Sequence, residues 1–168
     1  MKTKGYLFLI LLFCILFFAR ALLHPSLLMG QGDIVQAYAY YYNIARDTWR
    51  DFGQFPLWDP YNYGGMPHNL AVGLFYPPSL LFLYSFKEVY LNYYIIFHIF
   101  IAGITTYGFL RALRFERYSA FIGSLVFMFS GNLVSRIAGH IPQLTVYSLL
   151  PAGFLFLELL IQKKRWLF

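Results

Sequence analysis

The chain has 168 residues, 60% of them apolar and 12% charged, against roughly 25% charged in soluble domains, which points to a membrane protein. A net charge of +6 does not mark a nucleic-acid binder, because Lys and Arg stand in short clusters between apolar runs and no soluble stretch can present a basic face. The one cysteine, Cys14, excludes an intrachain disulfide and a cysteine-built metal site.

A spanning helix needs about 20 mainly apolar residues. The first such segment covers about 5–24, after Lys2 and Lys4. It is long for a signal-peptide core, and His24-Pro25-Ser26 offers no small-residue cleavage site, so a retained span is expected. Residues 25–88 form a long loop whose first part, 33–52, has a helical period. Ile34, Tyr38, Tyr41, Ala45, Trp49 and Phe52 recur on one face and Asn43, Asp47 and Asp51 on another, with Gly53 as the stop. This predicts an interfacial amphipathic helix. The stretch that follows, rich in Pro, Gly and aromatics, reads as an ordered irregular loop. Gly64-Gly65 permits a tight turn, and Pro77-Pro78 starts a short helix. Further spans are expected at 89–110, 118–135 and 141–160, the last with Pro151 in its interior.

These elements define an all-α polytopic helical bundle forming a single membrane domain. Lys2, Lys4, Arg111, Arg114, Arg117, Lys163, Lys164 and Arg165 would share one side, against Arg46, Arg50, Lys87 and Arg136 on the other. The positive-inside rule then predicts both termini in the cytoplasm and the long loop outside it.

No G-x-G-x-x-G, P-loop, H-E-x-x-H or G-x-S-x-G run is present. The candidate groups gather instead near the outer membrane boundary. Asp33 follows about thirty residues without another carboxylate; it suits a helix cap, or a base that takes a proton from an attacking hydroxyl. Asp47 lies 14 residues on, about 21 Å along a straight helix, too far to share a small site with Asp33. Asp59, in Trp-Asp-Pro, suits a turn former or a group folded back toward the site, and His68 is expected to be accessible. Arg20, at the end of the first span, suits snorkelling or an anion contact. Arg136 and His140 sit where a lipid phosphate lies. His98, inside the second span, reads as a packing group.

The phrases GD…YAYYYNIARDTWRDFGQFPLWDPYNYGGMP, GLFYPPSLLF and FSGNLVSRIAGHIPQLTVYSLLP together resemble the N-terminal part of the YfhO family of bacterial membrane proteins, within the GT-C type of glycosyltransferases. The resemblance covers about residues 30–160. It implies transfer of a sugar from a polyprenyl-phosphate donor to a cell-envelope acceptor outside the cytoplasm. Asp33 matches the acid of the first outer loop, as base or acceptor-positioning carboxylate. Arg136 and His140, with Arg20 the weaker, would meet the carrier phosphate; Asp59, His68 and Asp47 stand beside these as supporting candidates from their place in the outer loop, not from the resemblance. A divalent cation, Mg or Mn, serves some members, with Asp33 as its ligand if one is used. Proteins of this type carry eight or more spans, so these four are expected to need further helices of a longer protein or a partner subunit. Two other readings stay open: a non-catalytic membrane scaffold or assembly subunit, and a transporter or flippase of a lipid-linked substrate.

Overall fold

The computed structural model describes residues 3–24, 29, 37–68, 75–85, 87 and 89–165. Helix α1 (Thr3–Phe17) passes through Phe18 into the short α2 (Ala19–Leu23). The backbone stays hydrogen-bonded across the join, Phe18 N–H to the Cys14 carbonyl and Leu22 N–H to the Phe18 carbonyl. In the loop lie α3 (Ala39–Phe52), a hairpin of β1 (Trp58–Asp59) and β2 (Met66–Pro67), and α4 (Pro77–Tyr84). Then come α5 (Val89–Ala112), α6 (Arg117–Met128), α7 (Gly131–Ser135) with a 3-10 turn at Arg136–Ala138, and α8 (Ile141–Arg165).

Among the described residues three helical segments are long and apolar enough to cross a membrane: Val89–Ala112, Arg117–Ala138 and Ile141–Lys163. Helix α1 is apolar but, at 15 residues, shorter than a span on its own. The third span is not one helix. It breaks at Phe129-Ser130, and Ser130 restarts it by accepting the Leu133 N–H on its side chain, as an N-cap serine does. Pro151 is accommodated inside α8; lacking an N–H, it leaves the Tyr147 carbonyl without its helical donor.

Helix α5 is the hub. It packs on α8, on α6 and on α1, and its buried residues Leu91, Ile95, Ile99, Ala102, Gly103 and Thr106 form the centre of the core. Small side chains allow the approach. A Cβ on Gly103 would collide with Met128 Sδ on α6 and lie 3.0 Å from Ile10 on α1. The Thr106 and Ser124 hydroxyls are buried but donate to carbonyls of their own helices, Ala102 and Phe121, so neither enters the membrane unsatisfied.

Two helix ends are set by left-handed residues. Gly53, at φ 62°, closes α3 with its N–H on the Trp49 carbonyl, as its sequence suggests. At the end of α5, Phe115 N–H reaches the Leu110 carbonyl and Arg114 N–H the Arg111 carbonyl, both at 3.1 Å. This double bond pattern is a Schellman motif, but the left-handed position holds Arg114, at φ 67°, where glycine would be unstrained.

Replacing Gly103 by valine should separate α1, α5 and α6 and cost about 1–3 kcal/mol, the range for overpacking a close-packed core. Gly153→Val, where an added Cβ meets nothing within 4 Å, should change little. The thermal unfolding midpoints of the two variants in detergent provide the comparison, and equal midpoints would contradict the packing.

Candidate functional site

The hairpin is built by its turn residues. In Asn62-Tyr63-Gly64-Gly65, Tyr63 and Gly64 both have positive φ, 51° and 74°, and Gly65 N–H bonds to the Asn62 carbonyl at 2.7 Å. Positive φ at both central residues is the type I′ geometry, placed here at the tip of the connection between Asp59 and Met66. Gly65 is required for a second reason: a Cβ there would come within 2.5 Å of the Trp58 ring.

Asp59 anchors this hairpin from beneath. It is fully buried; Oδ1 accepts the Tyr61 N–H at 2.9 Å and the Tyr40 hydroxyl at 3.2 Å, and Oδ2 accepts the Asn62 amide at 2.8 Å. Burial pushes its carboxyl up, but the hydrogen bonds from Tyr61, Asn62 and Tyr40, with the His68 ring nearby, outweigh it, and the group lies below the ordinary carboxylate value. Of the two roles open to Asp59, the turn former is the one observed. The Tyr40 hydroxyl is held in its protonated form, first by burial and then by the Asp59 charge.

His68 differs from expectation. It is not accessible but fully buried, packed edge-on against Tyr41 at 5.5 Å between ring centres, with its N–H on the Leu57 carbonyl at 3.0 Å. The proximity of Gly64-Gly65 suggested a surface position; the strand pairing instead turns residue 68 inward, onto α3. Among the described residues neither ring nitrogen makes a hydrogen bond. Burial lowers its pKa from 6.5, partly offset by the Asp59 charge and the nearby Tyr41 carbonyl, so the ring is neutral at pH 7.

A second polar group fastens the loop to the bundle. Tyr76 hydroxyl meets His98 Nε2 at 3.0 Å, and His98 Nδ1 lies 2.7 Å from the Tyr94 carbonyl. The Tyr94 hydroxyl contacts Ser79 Oγ at 3.4 Å and Thr145 Oγ1 at 3.1 Å, tying α4, α5 and α8 together. Tyr42 of α3 joins from above, edge-on to Phe82 at 4.6 Å. Beside this network runs an apolar groove of about 510 Å³ between α4 and α5, lined by residues that include Leu81, Phe82, Tyr90, Tyr93 and Phe97.

Arg136 stands at the same end of the bundle, in the turn before α8. Its guanidinium donates to Gln143 Oε1 and, at 3.4 Å, to Asn132 Oδ1, and lies over the Tyr147 ring, 5.3 Å from its centre. It forms no ion pair among the described residues, so two amides and a ring orient its charge without neutralising it. His140 has an exposed side chain and its N–H on the Arg136 carbonyl at 3.0 Å, which places the two on one tight turn. Arg20 is exposed on α2. Asp47 is engaged by Arg46 at 2.8 Å and Arg50 at 3.6 Å on the outer face of α3. Asp33 lies outside the described residues, as does the start of the expected helix 33–52. No group of three or more His, Cys, Asp or Glu suited to a metal occurs among the described residues.

Tyr40, Tyr76 and Tyr94 were not singled out by sequence, because a tyrosine in an aromatic-rich loop or span reads as packing. The signal for the hairpin was present: Asp-Pro followed by Asn-Tyr-Gly-Gly carries both an Asx turn and a type I′ turn. Comparison of the chain with protein-family models, with curated proteins and with solved structures finds no match.

The hairpin should loosen in acid. His68 and Asp59 both have folded pKa values below their unfolded ones of 6.5 and 3.8, so the opened loop binds more protons and stability falls as pH falls. His68 contributes in full above 6.5 and progressively less below it; Asp59 acts only in stronger acid, below 3.8. Exchange of the His68 and Gly65 amides, corrected for intrinsic rate, should speed up between pH 7 and 5. His68→Phe should remove that slope, and a flat wild-type profile would refute the assignment.

Proposed function

We propose that this chain is part of a membrane glycosyltransferase that moves a sugar from a polyprenyl-phosphate donor to a cell-envelope acceptor on the extracytoplasmic side. Asp33 serves as the base, or as the carboxylate that positions the acceptor hydroxyl. The observation that carries the reading is Arg136, a guanidinium held by Asn132, Gln143 and Tyr147 with no carboxylate partner among the described residues. Charge develops on the carrier phosphate as the sugar leaves, and a pre-oriented cation at the membrane boundary stabilises it without reorganising. His140, on the same turn, is the second candidate for that contact.

The apolar groove between α4 and α5 supports the reading, because a lipid-linked donor needs a hydrocarbon path beside the polar site. The sequence resemblance to the YfhO family supplies the reaction type, and the charge distribution supplies the orientation, with both termini cytoplasmic. Asp33 takes its role from the resemblance, while Asp59 is buried and engaged by three donors.

The test is sugar transfer from a radiolabelled polyprenyl-phosphate donor pool in membranes carrying the full-length gene product. Asp33→Asn should lower transfer by about 10²–10⁴-fold, the range for a general base. Arg136→Gln should lower it by about 10²–10³-fold, as removal of a charge-stabilising donor does. Unchanged transfer in Asp33→Asn, at equal protein level, removes it from the base role. If neither wild type nor variants transfer sugar but the protein moves the lipid-linked donor across vesicles, the flippase reading replaces this one.

A further inference from the structure

The end of the bundle away from the loop carries a site of its own. Arg111, in the last turn of α5, and Arg117, in the first turn of α6, line a shallow cavity of about 440 Å³ together with Tyr6, Glu116 and Tyr118. Arg111 gives one guanidinium N–H to the Phe115 carbonyl, which fixes it across the turn and leaves its other donors free. Neither arginine is in an ion pair among the described residues, and Glu116 pairs with neither.

Two further features favour an anion in this cavity. Two guanidiniums against one carboxylate leave an excess positive charge. The cavity lies at the start of α6, whose cap residue Glu116 makes no side-chain capping bond, so the first-turn N–H groups add roughly half a positive charge.

The geometry points to a binding site for the phosphate of a membrane phospholipid at the turn between α5 and α6. The ligand is set by position as well as by charge. Arg111 and Arg117 end and begin two spanning segments, so the cavity lies at headgroup level, where phosphates of the surrounding lipid are already concentrated. Guanidinium forks match phosphate oxygens in pairs, and Tyr6 and Tyr118 suit the interface between water and hydrocarbon. The site is separate from the proposed transfer chemistry and does not depend on it.

Native mass spectrometry of the full-length protein, released from detergent with added dioleoylphosphatidylglycerol, tests this. Wild type should retain one lipid that survives gentle activation. Arg111→Gln combined with Arg117→Gln should lower its occupancy by well over tenfold, since two charge-assisted contacts are lost and one alone accounts for about tenfold. Arg117→Gln alone, an exposed change that the fold tolerates, should lose several-fold. Arg114→Gln removes the same charge three residues from Arg111 but outside the cavity lining, and should keep the lipid. Equal loss in Arg114→Gln would show diffuse attraction to a basic surface and overturn the site. Displacement of the lipid from wild type by excess inorganic phosphate would assign the cavity to a soluble phosphate and overturn the lipid source.

Discussion

A polar side chain inside a bilayer must find its partner within the protein, and the first turns of α5 bring this constraint to bear on the whole loop. His98 and Tyr94 are buried on a helix that otherwise presents hydrocarbon. Apart from the His98 contact with the Tyr94 carbonyl of the same helix, their partners come from outside it: Tyr76 and Ser79 from the start of α4, Thr145 from α8. A net hydrogen bond contributes only about 0.5–1.5 kcal/mol, but a polar group left unpaired in the membrane costs several. The penalty, more than the gain, holds α4 against the bundle. Once α4 is seated, Phe82 offers a ring for Tyr42, and α3 follows. Asp59 extends the same logic to the hairpin, which hangs from Tyr40 of α3. The loop is therefore an integral layer of the fold, and the groove between α4 and α5 owes its shape to it.

Three of the four expected spans were the most legible part of the sequence, because hydropathy over about twenty residues depends little on tertiary context. The first, expected at 5–24, is instead a 15-residue helix followed by a five-residue one. Helix α5 begins where expected and ends two residues beyond Leu110, at Ala112; α8 runs on to Arg165. The break in the third span is local chemistry that an average over residues hides: Ser130-Gly131 can end one helix and cap the next. Gly53 and Pro77 marked their boundaries because each acts through its own backbone. The hairpin escaped because its strands are two residues long and show no alternation to detect. What decides it is the turn.

The site was less legible, for a different reason. Arg136 stood out as a charge at a membrane boundary, but its partners lie four residues before and seven after. Gln143 reaches it only once the chain turns back at Gly139-His140. Burial of His68 depends on strand pairing that turns it onto α3, so residue type gave no hint. Asp59 was open to two roles, and only its three donors distinguish the turn anchor. Polar function in this chain is a property of folded turns, whereas its architecture is a property of runs.

Arg114 shows how a charge can offset most of a turn preference. The Schellman motif that closes α5 favours glycine at the left-handed position, and an L-residue there costs roughly 1–2 kcal/mol. An arginine or lysine close to an anionic leaflet is stabilised by about 1 kcal/mol. The two terms nearly cancel, so a glycine would relax the backbone while losing most of what it gained. The same turn then carries Arg111, Arg114 and Arg117 within seven residues, all at the end of the bundle away from the loop. Two of these three line a shared cavity and one does not, so the connection does not present its charges as one uniform face.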